Sequence, residues 1–133
     1  MCLCMIDKRL KKKSTVREAW KVFRSDPGGK ISFLYQHSTV KRGEWLQAVS
    51  HPIIMSDPPW PRTEEWTSSN REVYYSGFHV FTHKKTALEY AGRYSNVYRV
   101  FVRGVRLVGR DYKDTTNVPP LGPTLVADEM FVP

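Results

Sequence analysis

The chain is poor in the groups that hold small folds together covalently or through metals. Its 133 residues include two cysteines, Cys2 and Cys4, and four histidines scattered between residues 37 and 83. Cysteines this close together cannot form an ordinary disulfide framework, and their spacing from the histidines matches no common zinc finger or ribbon. We therefore expect no metal site and no cofactor.

Long apolar runs are missing as well. No stretch approaches the ~20 residues that a membrane span needs. The first residues, with Asp7 standing among lysines, make a poor signal peptide. We expect a cytoplasmic protein that makes no membrane contact.

Catalytic motifs are also absent from the sequence. It has no Gly-x-Ser-x-Gly, no glycine loop ending in Gly-Lys-Ser/Thr and no His-Glu-x-x-His. Acidic pairs are scarce, and Asp128 and Glu129 are neighbours in a predicted strand. Adjacent strand residues point to opposite faces, so these two cannot form one acid/base pair. The sequence therefore favours a binding protein over an enzyme.

Positive charge is what the chain has in excess. The net charge is +8 and the pI is near 9.7. The basic residues concentrate in residues 1–25 and 71–113, and the second of these zones is also rich in aromatic residues. A solvated, solubilising surface is the plainer explanation. Guanidinium groups bind phosphates and aromatic rings stack on bases, so the pattern also fits a nucleotide or a nucleic acid.

Residues 73–110 carry the most consistent structural signals. Gly77 can take a backbone angle closed to other residues, and the aromatic residues 78–81 after it predict a short strand. Thr82 suits a helix N-cap, and Gly92 is a helix stop signal. From Thr82 onward the apolar positions of an amphipathic helix recur at helical spacing: Ala87, Leu88, Ala91 and Tyr94.

Two strands are predicted next, residues 97–103 and a second one after Gly104. Arginine recurs along them at four positions, and strand alternation places Arg99 and Arg103 on one face with Phe101. Basic side chains gathered on adjacent strands repel one another unless an anion or an acidic partner relieves them. We expect phosphate contacts, not all in one pocket, from the four arginines: Arg99, Arg103, Arg106 and Arg110.

The remaining segments predict short strands joined by turns. We expect a basic surface loop over residues 8–13, strands over 19–23, 30–35 and 124–132, and turns at 26–29 and 41–44, with Trp45, Leu46 and Val49 returning to the core. Residues 51–70, rich in proline, and residues 111–123 predict loops. The chain should form a single domain, residues 1–133, of α+β class: a mostly antiparallel β-sheet with one or two short helices packed on it.

The predicted strand-to-helix junction, residues 77–85, is the candidate ligand site. Phe78 or Phe81 would lie against a base, and the start of the helix offers unpaired N–H groups to phosphate. His79, His83 and Lys84 would also lie near phosphate. The phenylalanines could equally be core residues, and His79 a buried histidine that donates to a backbone carbonyl.

Several short motifs, in their order along the chain, resemble the phage Thoeris anti-defence proteins of the first type. They are the start Met1-Cys2-Leu3, residues 19–23, the segment around Gly43-Glu44, the run Gly77 to Phe81, the paired segments 97–104 and 105–109, and residues 125–130. The resemblance implies a hexamer, assembled from dimers, that sequesters cyclic nucleotide signals without cleaving them. Members of that family bind cyclic ADP-ribose isomers, and some bind cyclic oligonucleotides at a separate intersubunit site.

Two other functions stay open. A basic-surface inhibitor would bind nucleic acid or a host protein, with an affinity that falls steeply with salt. An ADP-ribosyltransferase-like enzyme would need a glutamate in a late strand, and Glu129 is the candidate. The resemblance favours the small cyclic ligand over nucleic acid. The sequence agrees with binding without cleavage, since arginine and aromatic residues are plentiful and catalytic groups are not. The aromatic content and the two long loops also predict a homo-oligomer.

Overall fold

The computed structural model describes residues 3, 5–13, 15–34, 38–54, 73–91, 95–110 and 121–133. In this part of the chain, the prediction of a mostly antiparallel β-sheet with a short helix is confirmed. The elements are β1 (Met5–Lys13), β2 (Arg17–Ser25), β3 (Ile31–Phe33), β4 (Trp45–Gln47), β5 (Pro52–Ile54), β6 (Val73–Tyr75), β7 (Phe78–Phe81), α1 (Lys84–Tyr90), β8 (Ser95–Arg110) and β9 (Thr124–Phe131).

The long strand β8 organises the sheet. One of its edges pairs with β2 over residues 95–102 and with β1 over residues 105–110, and the other edge pairs with β9 over residues 101–109. Strand β9 also pairs with β7, and β7 meets β2 through the pair Trp20 and Phe81. Strands β2, β8, β9 and β7 therefore form a closed circuit, with β3 and β4 attached at its margins.

Apolar side chains fill both faces of β7. Val80 lies in the main core with Phe23, Val100, Val102 and neighbours from β9. On the opposite face, Phe81 packs with Ala87 of α1. The helix covers one side and the curled sheet the other, so Val80 and Phe81 are both buried.

The two strands predicted around Gly104 are one strand of 16 residues. Gly104 has a φ of 70°, and the β8–β9 ladder continues on both sides of it, from Arg103 opposite Glu129 to Val105 opposite Ala127. A left-handed glycine bends a strand without ending its pairing. The glycine is therefore a bend inside the strand rather than the turn that we expected.

The basic run at residues 8–13 is also different from its prediction. It belongs to β1, which pairs with the second half of β8 at the edge of the sheet, and is not a surface loop. Lysines are common on edge strands because their charges oppose pairing with a second chain. An edge position thus reconciles a polar sequence with strand structure.

The predicted loop over residues 51–70 begins with a strand. Strand β5 pairs with β6 as a separate two-stranded sheet, with Ile53 opposite Tyr74. Pro52 stands at the first position of the strand, which is one of the few positions in a sheet that tolerate proline. Residues 55–72 and 111–120, Cys2, Cys4 and Tyr94 lie outside the described residues.

The helix begins later than predicted. Its N-cap is His83, whereas the hydroxyl of Thr82 donates to the carbonyl of Pro123 at 3.3 Å. Ala87 is buried as expected, but Leu88 is exposed because a seven-residue helix on the sheet covers only one narrow stripe. No helix in the described ranges is long and apolar enough to cross a membrane.

The predicted turns are present. The β2–β3 turn has Gly29 at φ 83° and an Asp26 carboxylate that accepts from the Lys30 N–H at 2.9 Å, and Gly43 takes φ 81° in the turn before β4. Strand β3 is shorter than the predicted 30–35. Val49 is exposed rather than in the core, because the chain has left the sheet after β4.

Candidate functional site

The four arginines of β8 are paired with carboxylates of the same chain. Arg99 contacts Glu18, Arg103 contacts Glu129, Arg106 contacts Asp128 and Arg110 contacts Asp7, at nitrogen–oxygen distances of 2.6–2.9 Å. These carboxylates thus offset the repulsion that we expected between the basic side chains of the neighbouring strands. Their predicted phosphate contacts stay a prediction, and the structure does not bring the four together into one pocket.

The pair of Arg103 and Glu129 is the most elaborate of these contacts. Two parallel hydrogen bonds join the guanidinium to the carboxylate, at 2.6 and 3.0 Å, and they raise the pKa of Arg103. The guanidinium also lies 4.0 Å from the ring centroid of Trp45. Gln47 donates to the same carboxylate. Glu129, the candidate catalytic glutamate of the alternative enzyme, is therefore engaged in structural contacts.

The two phenylalanines of β7 have different environments. Phe81 is 1% exposed and packs against Tyr90, with ring centroids 5.3 Å apart. Phe78 is half-buried and stacks on Phe33, with ring centroids 6.1 Å apart and planes 17° from parallel. Of the two, Phe78 is placed to meet a ligand.

His79 is the buried histidine of the alternative interpretation. Its Nδ1–H donates to the carbonyl of Gly77 at 3.1 Å, so Nε2 accepts from the hydroxyl of Tyr74 at 3.0 Å, and that oxygen accepts the N–H of Leu3. Burial and the nearby charge of Lys21 lower the pKa of His79 to about 3. The imidazole is therefore neutral at physiological pH, and both of its nitrogens are bonded within the chain.

Gly77 has a role other than the predicted one. Its φ is not positive; instead, a Cβ at this position would lie 2.6 Å from the carbonyl oxygen of Ala127 on β9. The glycine allows the chain entering β7 to lie directly against β9. His83 and Lys84 are exposed at the start of α1, where the Lys84 ammonium lies 5.4 Å from the ring centroid of Trp20.

A cavity of about 770 Å³ lies against β2 and β7 and is bounded by the chain around β3, β4 and β5. Of the predicted site residues, Phe78, His79 and Phe81 border it, whereas His83, Lys84 and the four arginines do not. Its aromatic wall is the stacked pair of Phe33 and Phe78. Besides His79 and Tyr90, the described polar side chains that border it are Lys21, Thr39, Lys41, Gln47, His51 and Ser76.

Lys21 is the residue in this cavity that sequence reasoning missed. It lies on the face of β2 that carries Ala19 and Phe23, both fully buried. Its ammonium donates to the carbonyl of His79 at 2.8 Å and lies 6.0 Å from the ring centroid of Phe33. Burial lowers the pKa of Lys21 to about 8. A lysine between two apolar residues, Ala19 and Phe23, on the same strand face was the available signal.

The polar rim of the cavity is held in place by Ser76. Its hydroxyl accepts the backbone N–H of His51 at 3.0 Å and lies 3.1 Å from the Nδ1 of the same histidine. The carbonyl of Ser76 accepts from Arg106 at 2.6 Å. This network ties the separate β5–β6 sheet to β8, and it fixes one wall of the cavity.

A second cavity, of about 540 Å³, lies beside β1. Its lining is Lys8, Arg9, Leu10, Lys11, Thr15, Arg17 and Val105. The register of β1 against β8 shifts between Arg9 and Lys13, and this irregularity alters where the basic side chains point. Lys8, Lys11 and Arg17 have no carboxylate within ion-pair distance in the described residues. This basic groove therefore carries positive charge that the described part of the chain does not neutralise.

Metal coordination has no candidate in the described ranges, where no three His, Cys, Asp or Glu side chains lie close enough to hold an ion. No family model, curated protein or solved structure matches this chain. The cavity geometry and the distribution of unpaired charge are therefore the basis for a functional proposal.

Proposed function

We propose that the protein binds a small cyclic nucleotide in the cavity against β2 and β7 and sequesters it without cleaving it. In this proposal it is a phage anti-defence protein that acts in the cytoplasm of the infected bacterium. It works there as a homo-oligomer, a hexamer assembled from dimers. The ligand class is a cyclic ADP-ribose isomer, as the sequence resemblance implies, with a cyclic oligonucleotide as a further ligand.

The observation that carries the proposal is the combination of size and chemistry in the cavity. Its volume of about 770 Å³ falls within the roughly 300–1,000 Å³ of small-molecule sites. Phe78 and Phe33 offer aromatic carbon for a base, and the ammonium groups of Lys21 and Lys41 offer positive charge for phosphate. Nucleotides combine these two requirements.

The test is a calorimetric titration of the purified protein with cyclic ADP-ribose isomers. Truncating a stacking ring costs about 1–3 kcal/mol, so Phe78→Ala should weaken binding roughly 5- to 150-fold. Phe101→Ala is the matched control, because Phe101 is also half-buried but lies outside the cavity. If both variants bind with the same affinity as the parent protein, the ligand does not bind in the cavity.

The arginines of β8 are the alternative binding site for the ligand's phosphate groups. If the cavity holds the ligand, Arg99→Ala and Arg110→Ala should bind like the parent. A tenfold loss in either would support the sequence-based prediction instead.

Ligand recovered after denaturation should have its original mass by mass spectrometry, since sequestration requires no bond cleavage. Light scattering at micromolar concentration should give an oligomer mass.

A second candidate function is supported by the basic groove. The unpaired charges of Lys8, Lys11 and Arg17 would attract a polyanion such as nucleic acid, which was the alternative drawn from the basic composition. Three phosphate contacts to duplex DNA predict a slope of about −2.7 for log affinity against log salt. An affinity that is independent of salt, or unchanged in a triple glutamine variant, would exclude this function.

A further inference from the structure

The environment of Lys21 is unusual for a lysine. It occupies an inward position of β2 between Ala19 and Phe23, and its amine lies 5.9 and 6.0 Å from the ring centroids of Phe23 and Phe33. In the described residues no carboxylate pairs with it, in contrast to the four arginines of β8. Its hydrogen-bond acceptor is a neutral carbonyl, that of His79.

In the part of the chain that the structure describes, the titratable groups that border the cavity with Lys21 are Lys41, His51, His79 and Tyr90, and none of them is a carboxylate. His79 on β7 is neutral. The hydrogen bond to the His79 carbonyl favours the charged amine, but burial lowers the pKa of Lys21 to about 8. With this pKa, about a tenth of the Lys21 amine is unprotonated at pH 7.

A neutral amine in an apolar cavity is the usual state of a lysine that attacks carbonyl carbon. One N–H of Lys21 is directed at the His79 carbonyl, 2.8 Å away. In the neutral amine this bond leaves the nitrogen lone pair free of the backbone. The cavity of about 770 Å³ provides room for a ligand beside it.

We propose that Lys21 is a covalent capture site that forms an imine with aldehydes carried by phosphorylated aromatic ligands. The lone pair of Nζ attacks the carbonyl carbon, and the carbonyl oxygen takes up a proton while the nitrogen loses one, giving a carbinolamine. The hydroxyl then leaves as water, the nitrogen loses its remaining proton, and the C=N bond forms. One water is released for each adduct, and nothing is oxidised or reduced.

The ligand class follows from the groups around the amine. Phe33 and Phe78 provide a surface for an aromatic ring, and Lys41 provides a positive charge for a phosphate. The capture reaction uses the cavity of the proposed function but does not require the ligand to be a cyclic nucleotide. Imine formation and nucleotide binding can therefore fail separately.

The probe is pyridoxal 5′-phosphate, which carries an aldehyde, a phosphate and an aromatic ring. The full-length protein is incubated with a small excess, the imine is followed by its absorbance, and borohydride reduction fixes it for peptide mapping. We expect Lys21 to be labelled at least tenfold faster than exposed Lys30, with a rate that rises with pH and levels off above about 8. Labelling that follows exposure instead would overturn the proposal.

Two variants complete the experiment. Lys21→Arg keeps the positive charge but cannot form an imine, so the fast phase should disappear, whereas Lys30→Met should retain it. A fast phase that persists in Lys21→Arg would contradict the proposal. If the arginine variant does not fold, the labelling map of the parent protein still decides the outcome.

An excess of cyclic ADP-ribose isomer that slows labelling would place both ligands in one cavity. Labelling without such competition supports capture and counts against the nucleotide.

Discussion

Replacing Lys21 with methionine should make the protein more stable at neutral pH while weakening its ligand binding. Methionine has nearly the same length and shape as the lysine stem, and its thioether suits a site between Phe23 and Phe33. The substitution removes a charge that burial disfavours and that no carboxylate of the described residues pairs with. It also removes the hydrogen bond to the carbonyl of His79.

The magnitude follows from these two contributions. The fall in the pKa of Lys21 from 10.5 to about 8 means that charging it costs roughly 3 kcal/mol more in the folded protein than in water. The lost hydrogen bond offsets about 1 kcal/mol of this. The net gain of roughly 2 kcal/mol corresponds to a rise in Tm of about 7 °C for 133 residues.

The gain should depend on pH with a defined sign. Because the folded pKa of Lys21 lies below the unfolded one, the folded state binds fewer protons between about pH 8 and 10.5, and wild-type stability rises across this window. The advantage of Lys21→Met should therefore shrink as the pH approaches 10.5. Thermal unfolding followed by circular dichroism at pH 7 and pH 10 measures it, with exposed Lys30→Met as the control. A variant that is less stable at pH 7, or a gain that is the same at both pH values, would refute the reasoning.

Three further predictions concern the walls of the cavity. Because the folded pKa of His79 is near 3, the stability that its neutral form contributes is complete above about pH 6.5 and is lost as the pH falls. The free energy of unfolding, measured by urea denaturation, should therefore fall by roughly 3 kcal/mol between pH 7 and 4. In the variant His79→Gln this fall should be smaller. Tyr74→Phe should cost about 2–4 kcal/mol by chemical denaturation, since it leaves the N–H of Leu3 and the Nε2 of His79 unpaired; a loss below 1 kcal/mol would contradict this network. Gly77→Ala should cost about 1–3 kcal/mol because its Cβ would lie 2.6 Å from a backbone carbonyl of β9, whereas Gly28→Ala, beside a movable side-chain oxygen, should cost less.

The parts of the fold that the sequence predicted are set by local chemistry. The turn before β3 depends on Asp26 and Gly29, which are three residues apart, and the alternation in β9 depends on near neighbours. The shared face of Arg99, Phe101 and Arg103 likewise follows from the period of a strand. Signals of this kind need no knowledge of the partner strand.

The predictions that were wrong depended on distant partners. The basic run of β1 became a strand because β8, about a hundred positions away, supplies its ladder, and β5 exists because β6 lies beside it. The ion pair of Arg110 with Asp7 spans 103 positions, so its carboxylate could not be assigned from the sequence. The cavity itself could not be assigned from the sequence for the same reason, since it is formed by segments from five separate strands, their connections and Tyr90 of α1.

The charge distribution separates the positive groups into those that serve the fold and those that can meet a ligand. In the sequence, the arginines of β8 suggested an anion-binding surface, but in the structure each is paired with a carboxylate. Such pairs at half-exposed positions contribute little stability. A ligand that used these arginines would first have to displace Glu18 or Asp7. Among the described residues no carboxylate pairs with Lys21, and an anion beside it would relieve the cost of its partial burial. Ligand phosphate should therefore bind more tightly beside Lys21 than along the more conspicuous row of arginines.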